Sequence, residues 1–450
     1  MKRIGVAIVA AGMMVLSACT AGGGTSTGVS AVDTASGASH TPVTINVWSF
    51  YSAREFDQYK SVLDDFHAKY PWITVTSTPA KSDQDFLRAV NTGTSPDIAI
   101  SAGPDNVAKF CDSGAYKDLT PFVQQDGLDL ASIIPPQALR YTSYKGNQCT
   151  LPVLSDAYGL YYNTDLFQQA RLTAPPKTLS QLETYAKQLT TYNTDGSIKV
   201  AGYVPLGAFY ESGALYNGVY SGSQWYDSSG KSAFATDPTW ASLLQWQKDF
   251  IANVYGPDGY SKLQDFFSSL GGPNSEWSPA QGFESGQIAM ALDGEWRTAF
   301  IRDDKSKVSY ATAPFPVADA NASAYGAGQI GGDVIGIPTN APHPAEAWLL
   351  LKYLATDTGA EMKLAETLGN VPTTFAALKD PVLSNDPYFK PFLDIFANPK
   401  SAFKPLTVIG QTDSDLWGSF IDDWEAGKVP DLQKGLTNVA SQIDQQFQLG

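Results

Sequence analysis

Val43-Thr44-Ile45-Asn46-Val47-Trp48-Ser49-Phe50 sets Val43, Ile45 and Val47 at alternate positions, the period of a strand with one buried face. Residues 55–70 then carry Phe56, Tyr59, Leu63, Phe66 and Tyr70 at helical spacing, and Pro71 stops the run. Ile73-Thr74-Val75-Thr76-Ser77 returns to the strand period. Residues 85–91 suit a short helix, and Pro96-Asp97-Ile98-Ala99-Ile100 suits a third strand. Strands alternating with helices form a βαβ pattern, so the expected fold class is α/β with a parallel sheet.

The same signals continue downstream. Thr178 and Gln181 have capping-box spacing before a helix carrying Leu182, Tyr185, Ala186 and Leu189. Residues 345–355 form a strongly apolar helix around Trp348, and Gly369 is placed to end a helix over 363–369. Asn193-Thr194-Asp195-Gly196 lacks the other ligands of a calcium loop and reads as a tight turn. No internal repeat stands out.

The chain has 450 residues, enough for two large lobes with a tail or for three domains. Apolar residues make up 43 %, with 22 Phe, 22 Tyr and 10 Trp, sufficient for a sizeable core. The formal charge is −15 and no basic run is present, which argues against nucleic acid and against docking on anionic lipid. Three His and three scattered Cys argue against a zinc framework, so neither metal nor cofactor is expected.

Lys2 and Arg3 precede an apolar run over residues 4–18, shorter than the roughly 20 residues a spanning helix needs. Residues 1–18 therefore read as an export signal. Leu16-Ser17-Ala18-Cys19 resembles the lipobox of bacterial lipoproteins, which implies cleavage before Cys19 and a lipid on its thiol. Residues 19–40, rich in Gly, Ser, Thr and Ala, read as a flexible tether. That leaves Cys111 and Cys149, which in an exported chain suggest a disulfide, the alternative being two buried thiols.

Leu151-Pro152, Tyr158-Gly159-Leu160-Tyr161-Tyr162-Asn163-Thr164-Asp165-Leu166-Phe167 and Pro175-Pro176-Lys177-Thr178-Leu179-Ser180-Gln181-Leu182 resemble the family 1 extracellular solute-binding proteins of ABC importers. Val47-Trp48, Pro96-Asp97-Ile98, Gly282-Phe283-Glu284-Ser285-Gly286, Ala289-Met290 and Asp293-Gly294-Glu295-Trp296 follow the same order. Gly331-Gly332, Gly336-Ile337-Pro338, Ala345-Glu346-Ala347-Trp348 and Gly369-Asn370-Val371-Pro372-Thr373 continue it. The resemblance implies a two-lobed periplasmic-binding-protein-like fold of type II, with a hinge and the ligand in the interlobe cleft. Lobe 1 would hold residues 41–154 and 329–375, and lobe 2 residues 157–326 and 376–450. It implies a monomer that delivers a carbohydrate to ABC permease subunits from the outer face of the membrane or the periplasm.

A neutral sugar offers hydroxyls to short polar groups and an apolar face to aromatic rings. Tyr51 and Ser52 follow the first strand, Lys81 and Asp83 open the next helix, and Ser101 and Asp105 follow the third strand. Asp333 follows the Gly331-Gly332 pair. By resemblance to maltose-binding members of the family, Asp156 would be an acidic contact, Tyr210 an aromatic contact, Trp296 a stacking ring and Trp417 a second one. Trp225 and Trp277 lie among Gly, Ser and Pro and are expected to be exposed or cleft-facing. Ser101 and Ala53 stand where those members have a tryptophan and a lysine, so the ligand need not be maltose. A polyamine, an amino sugar or glycerol phosphate are the alternatives within a receptor. A secreted glycosidase is the alternative outside it, but no carboxylate pair sits in a glycosidase motif, and no enzyme is expected.

Overall fold

The computed structural model describes residues 40–449; the expected export signal, Cys19 and the tether up to residue 39 lie outside the described residues. β1 (Val43–Ser49), β2 (Ile73–Thr78) and β3 (Ile98–Ser101) alternate with α1 (Ala53–Lys69) and α2 (Asp83–Thr92). The order read from periodicity is thus the order found. Ser82 caps α2: its hydroxyl accepts from Asp85 N, and the Asp85 carboxylate accepts from Ser82 N. β1 pairs β2 and β3 in parallel.

The expected parallel sheet is only part of the sheet. β4 (Thr150–Asn163), β7 (Met290–Gly294), β8 (Tyr310–Ala313) and β9 (Ile330–Gly336) join it antiparallel, in the order β2-β1-β3-β9-β4-β7 with β8 also on β4. A βαβ crossover imposes parallel pairing, whereas β4 and β9 are joined by a long excursion that leaves direction free. That excursion includes a small hairpin, β5 (Thr191–Tyr192) with β6 (Ile198–Val200), turning at the predicted Asn193 to Gly196 site.

The fold is α/β and two-lobed, and β4 is its spine. Residues Thr150 to Ala157 pair with β9; from Tyr158 onward the partners are β7 and β8. One strand thus changes partners at Ala157 and Tyr158. A second passage lies beside it, where Ser155 and Val371 exchange backbone hydrogen bonds of 2.7 and 3.1 Å. Gly369 ends the helix Thr358–Leu368 at φ +82°, and a Cβ there would sit 2.8 Å from Ala299 Cβ.

Cys111 and Cys149 form a disulfide with Cα atoms 5.5 Å apart, tying the helix Val107–Ser113 to the entrance of β4. Thr178 makes half of its expected capping box: its hydroxyl accepts from Gln181 N, but Gln181 Oε1 accepts from Lys177 N. Among the described residues no helix is long and apolar enough to cross a membrane.

Candidate functional site

Beside the strand crossing lies a cleft of about 470 Å³. The loop after β1 and the start of α1 form one wall, with Phe50, Tyr51, Ser52, Arg54 and Glu55. Asp156, Tyr158, Asp333 and Asn370 form the floor, and Glu211, Trp277, Trp296 and Phe300 the opposite wall. These side chains come from segments far apart in the chain, brought together because β4, β9 and the 369–371 passage all run under the cleft.

Trp296 stands at the end of β7 because Gly294 leaves room for it: a Cβ on Gly294 would lie 2.3 Å from the Trp296 ring. Tyr158 meets the ring edge-on at 5.3 Å between centroids, and Trp296 Nε1 has no partner. Trp277, 51 % exposed, marks the mouth and packs on Phe300. Arg54 pairs with Asp303 across the cleft and lies 4.2 Å over the Phe300 ring, leaving Nε and Nη2 without partners. Ser52 makes no capping bond, so the first turn of α1 opens uncapped at the cleft. Ala53 and Tyr210 have φ of +45° and +48°, a region non-glycine residues seldom occupy. Each directly precedes cleft-facing residues: Arg54 and Glu55 in one case, Glu211 in the other.

Carboxyl groups dominate the floor. Tyr51 Oη donates to Asp333 Oδ2 at 2.6 Å, and Asn370 Nδ2 donates to Asp156 Oδ1 at 3.0 Å. Beneath them Glu295, fully buried, accepts from Ala157 N at 2.8 Å and from Val371 N at 3.2 Å. One carboxylate therefore ties both passages of chain between the lobes. Burial pushes Asp156 up to about 7 despite the Asn370 hydrogen bond. Burial and the Asp156 charge push Asp333 and Glu295 well above the usual carboxylate range. Burial, with Asp293 and Glu276 nearby, pushes Glu211 to about 8. At neutral pH Asp156 and Glu211 hold protons in part, so they both donate and accept hydrogen bonds.

Of the residues singled out from sequence, Tyr51, Ser52, Asp156, Trp277, Trp296 and Asp333 meet in this cleft. Lys81, Asp83 and Asp105 line an adjoining groove of about 710 Å³ that shares Phe50 and Ala102 with it. Lys81 Nζ sits 4.7 Å over Trp48, and Asp105 pairs with Lys404 at 3.3 Å. Ser101 is buried behind the groove and donates to Asp83 Oδ1 at 2.6 Å, so it positions rather than lines.

Three more of the expected residues lie outside this cleft. Tyr210 turns away from the cleft, its hydroxyl on Ser275 Oγ at 2.7 Å and its ring on Phe267; its neighbour Glu211 faces the cleft instead. Trp417 is 3 % exposed, with Nε1 donating to Tyr216 O, because the helix Thr412–Glu425 points Trp417, Phe420, Ile421 and Trp424 inward together. Trp225 is also 3 % exposed, with Nε1 on Asn217 O; the small residues around it let the ring fold into the same aromatic core.

A family model described as bacterial extracellular solute-binding protein matches residues 61–391. This chain belongs to the bacterial extracellular solute-binding proteins. A probable ABC transporter-binding protein of Deinococcus radiodurans is 25 % identical over 317 residues, 66 % of this chain and 70 % of that one. CpMnBP1 with mannotriose bound superposes with a TM-score of 0.78 at 24 % identity, over 89 % of this chain and 99 % of that one. Maltose-bound MalE3 of T. maritima gives 0.74 at 23 % identity, over 89 % and 99 %. These likenesses confirm the type II fold expected from the motifs.

Sequence reasoning missed several residues that line the cleft of this solute-binding protein: Arg54, Glu55, Tyr158, Glu211, Phe300 and Asn370. Tyr158 and Asn370 lie inside the quoted motifs and Arg54 and Glu55 follow Ser52 directly, so adjacency was the available signal. Phe300 and Glu211 carry no signal of their own.

Proposed function

We propose that the protein is the sugar receptor of an ABC importer, closing its lobes on a mono- or oligosaccharide and handing it unchanged to a membrane permease. The observation that carries this reading is the cleft itself. Trp296 and Tyr158 supply ring faces, and Asp156, Asp333, Asn370 and Arg54 supply hydrogen-bonding groups at the point where the strand changes lobes. The sugar-bound solved structures of the same fold support it. Residues 41–154 and 329–375 act as lobe 1, and 157–326 and 376–450 as lobe 2. Cys19 carries a lipid that holds the receptor at the outer face of the membrane.

The test is a thermal-shift screen of the protein against sugars and polyamines. A ligand at 100 times its Kd stabilises the fold by about 2.7 kcal/mol. The ligand found should also reduce the radius of gyration in X-ray scattering and be recovered intact by NMR, since contacts from both lobes favour the closed state. Tight binding with unchanged scattering refutes the clamp, and cleavage of the sugar refutes the receptor in favour of a glycosidase. Labelling with a radioactive fatty acid should mark the wild type and not Cys19→Ala; equal labelling refutes the anchor.

A further inference from the structure

Four carboxyl groups line the cleft: Glu55, Asp156, Glu211 and Asp333. Against them the lining holds one cation, Arg54, and that guanidinium is already paired with Asp303 and stacked on Phe300. The nearby Arg297 offsets Glu211 and Glu55 only in part, since burial still leaves both raised. It is 1 % exposed and bound to Asp293 at 2.8 Å and Glu284 at 3.2 Å. The acids also act on one another: Glu55 raises Asp156, and Asp156 and Glu55 raise Asp333. An uncharged ligand would leave these raised acids protonated and use them only as neutral hydrogen-bonding groups, whereas a cation would favour their ionised form. An ammonium group would compensate them, forming charge-assisted hydrogen bonds to the carboxylates. Trp296, Tyr158 and Phe50 also line the cleft, and aromatic rings attract a cation. The chain's net charge of −15 draws cations toward it.

We infer that the solute carries a protonated amine, held between Glu55 on one wall, Asp156 and Asp333 on the floor and Glu211 on the opposite wall, with its ring on Trp296. This rests on the saccharide reading and replaces the uncharged sugar expected from the sequence by an amino sugar. A linear polyamine has the same charge without the ring, and the experiment separates the two.

The full-length protein is titrated calorimetrically at pH 7 with glucosamine, galactosamine, mannosamine and the β-1,4-linked glucosamine dimer and trimer. Each is compared with its N-acetylated and its hydroxyl counterpart, and spermidine is run alongside. The expected result is at least one amino sugar binding tenfold or more tighter than both counterparts, with an affinity that falls as salt is raised. Asp156→Asn and Glu211→Gln should weaken the amino sugar more than the hydroxyl sugar and so shrink that ratio. The wild-type ratio and its salt dependence stand even if a variant fails to fold. A hydroxyl or N-acetyl sugar binding as tightly as its amine overturns the inference and leaves the saccharide reading intact. Spermidine binding without any amino sugar keeps the cationic ligand and overturns the saccharide. No binding by any amine overturns the inference.

Discussion

Glu295 is where a single atom exchange should report on the junction between the lobes. Its carboxylate accepts Ala157 N at 2.8 Å on Oε2, and Val371 N at 3.2 Å and Asn370 Nδ2 at 3.3 Å on Oε1. Ala157 lies where β4 changes partners, and Val371 on the neighbouring passage. In Glu295→Gln the amide oxygen can turn toward Val371 and Asn370, but the NH2 then faces the Ala157 N–H. The variant loses one hydrogen bond, about 0.5–1.5 kcal/mol, and leaves a buried donor unpaired at a cost of about 1–3 kcal/mol. Relief of the repulsion between Glu295 and Asp156 offsets part of this. The net loss should be about 2 kcal/mol. It is read as a lower urea midpoint at unchanged slope. Hydrogen exchange at Ala157 should accelerate, because its N–H protection comes from this carboxylate. An unchanged midpoint together with unchanged exchange at Ala157 would refute the account of Glu295 as the tie between the two passages.

Three further outcomes are expected. Replacing Cys111 and Cys149 together by Ser should cost about 4 kcal/mol in the chain-entropy model, measured by denaturant unfolding without reductant; a loss below about 1 kcal/mol would contradict it. Asp156, at about 7, and Glu211 and Glu425, at about 8, are all raised in the folded chain, so the unliganded fold should be most stable below about pH 4 on their account. That contribution should be lost as pH rises from about 4 to about 8, and a melting profile made shallower by Asp156→Asn and Glu211→Gln, with the Glu425 part remaining, would trace it to these groups. Trp296→Ala should weaken binding of the sugar found in the screen by about thirtyfold, roughly 2 kcal/mol, and Gly294→Ala should weaken it as well by displacing the ring. Unchanged affinity in a folded Trp296→Ala protein would return that ring to a purely structural role.

The amino-acid order by itself determined the local elements and the family. Alternation in residues 43–50 and helical spacing in 55–70 report which face of each element is buried, and that needs no knowledge of partners. The Gly294-Glu295-Trp296 motif carried the stacking ring by resemblance, and Gly294 turns out to be the space the ring occupies. Only the tertiary structure decided which polar groups converge. Asn370 reaches Asp156 across 214 residues and Tyr51 reaches Asp333 across 282, pairings that no local period encodes. It also decided that Trp225 and Trp417 lie apart from this cleft, buried against Phe234 and Trp240, since a tryptophan packs or lines a site according to the surrounding surface. The antiparallel half of the sheet has the same origin: strand direction after a long excursion follows from where the chain re-enters, and residues 330–336 re-enter beside β4 in the opposite sense.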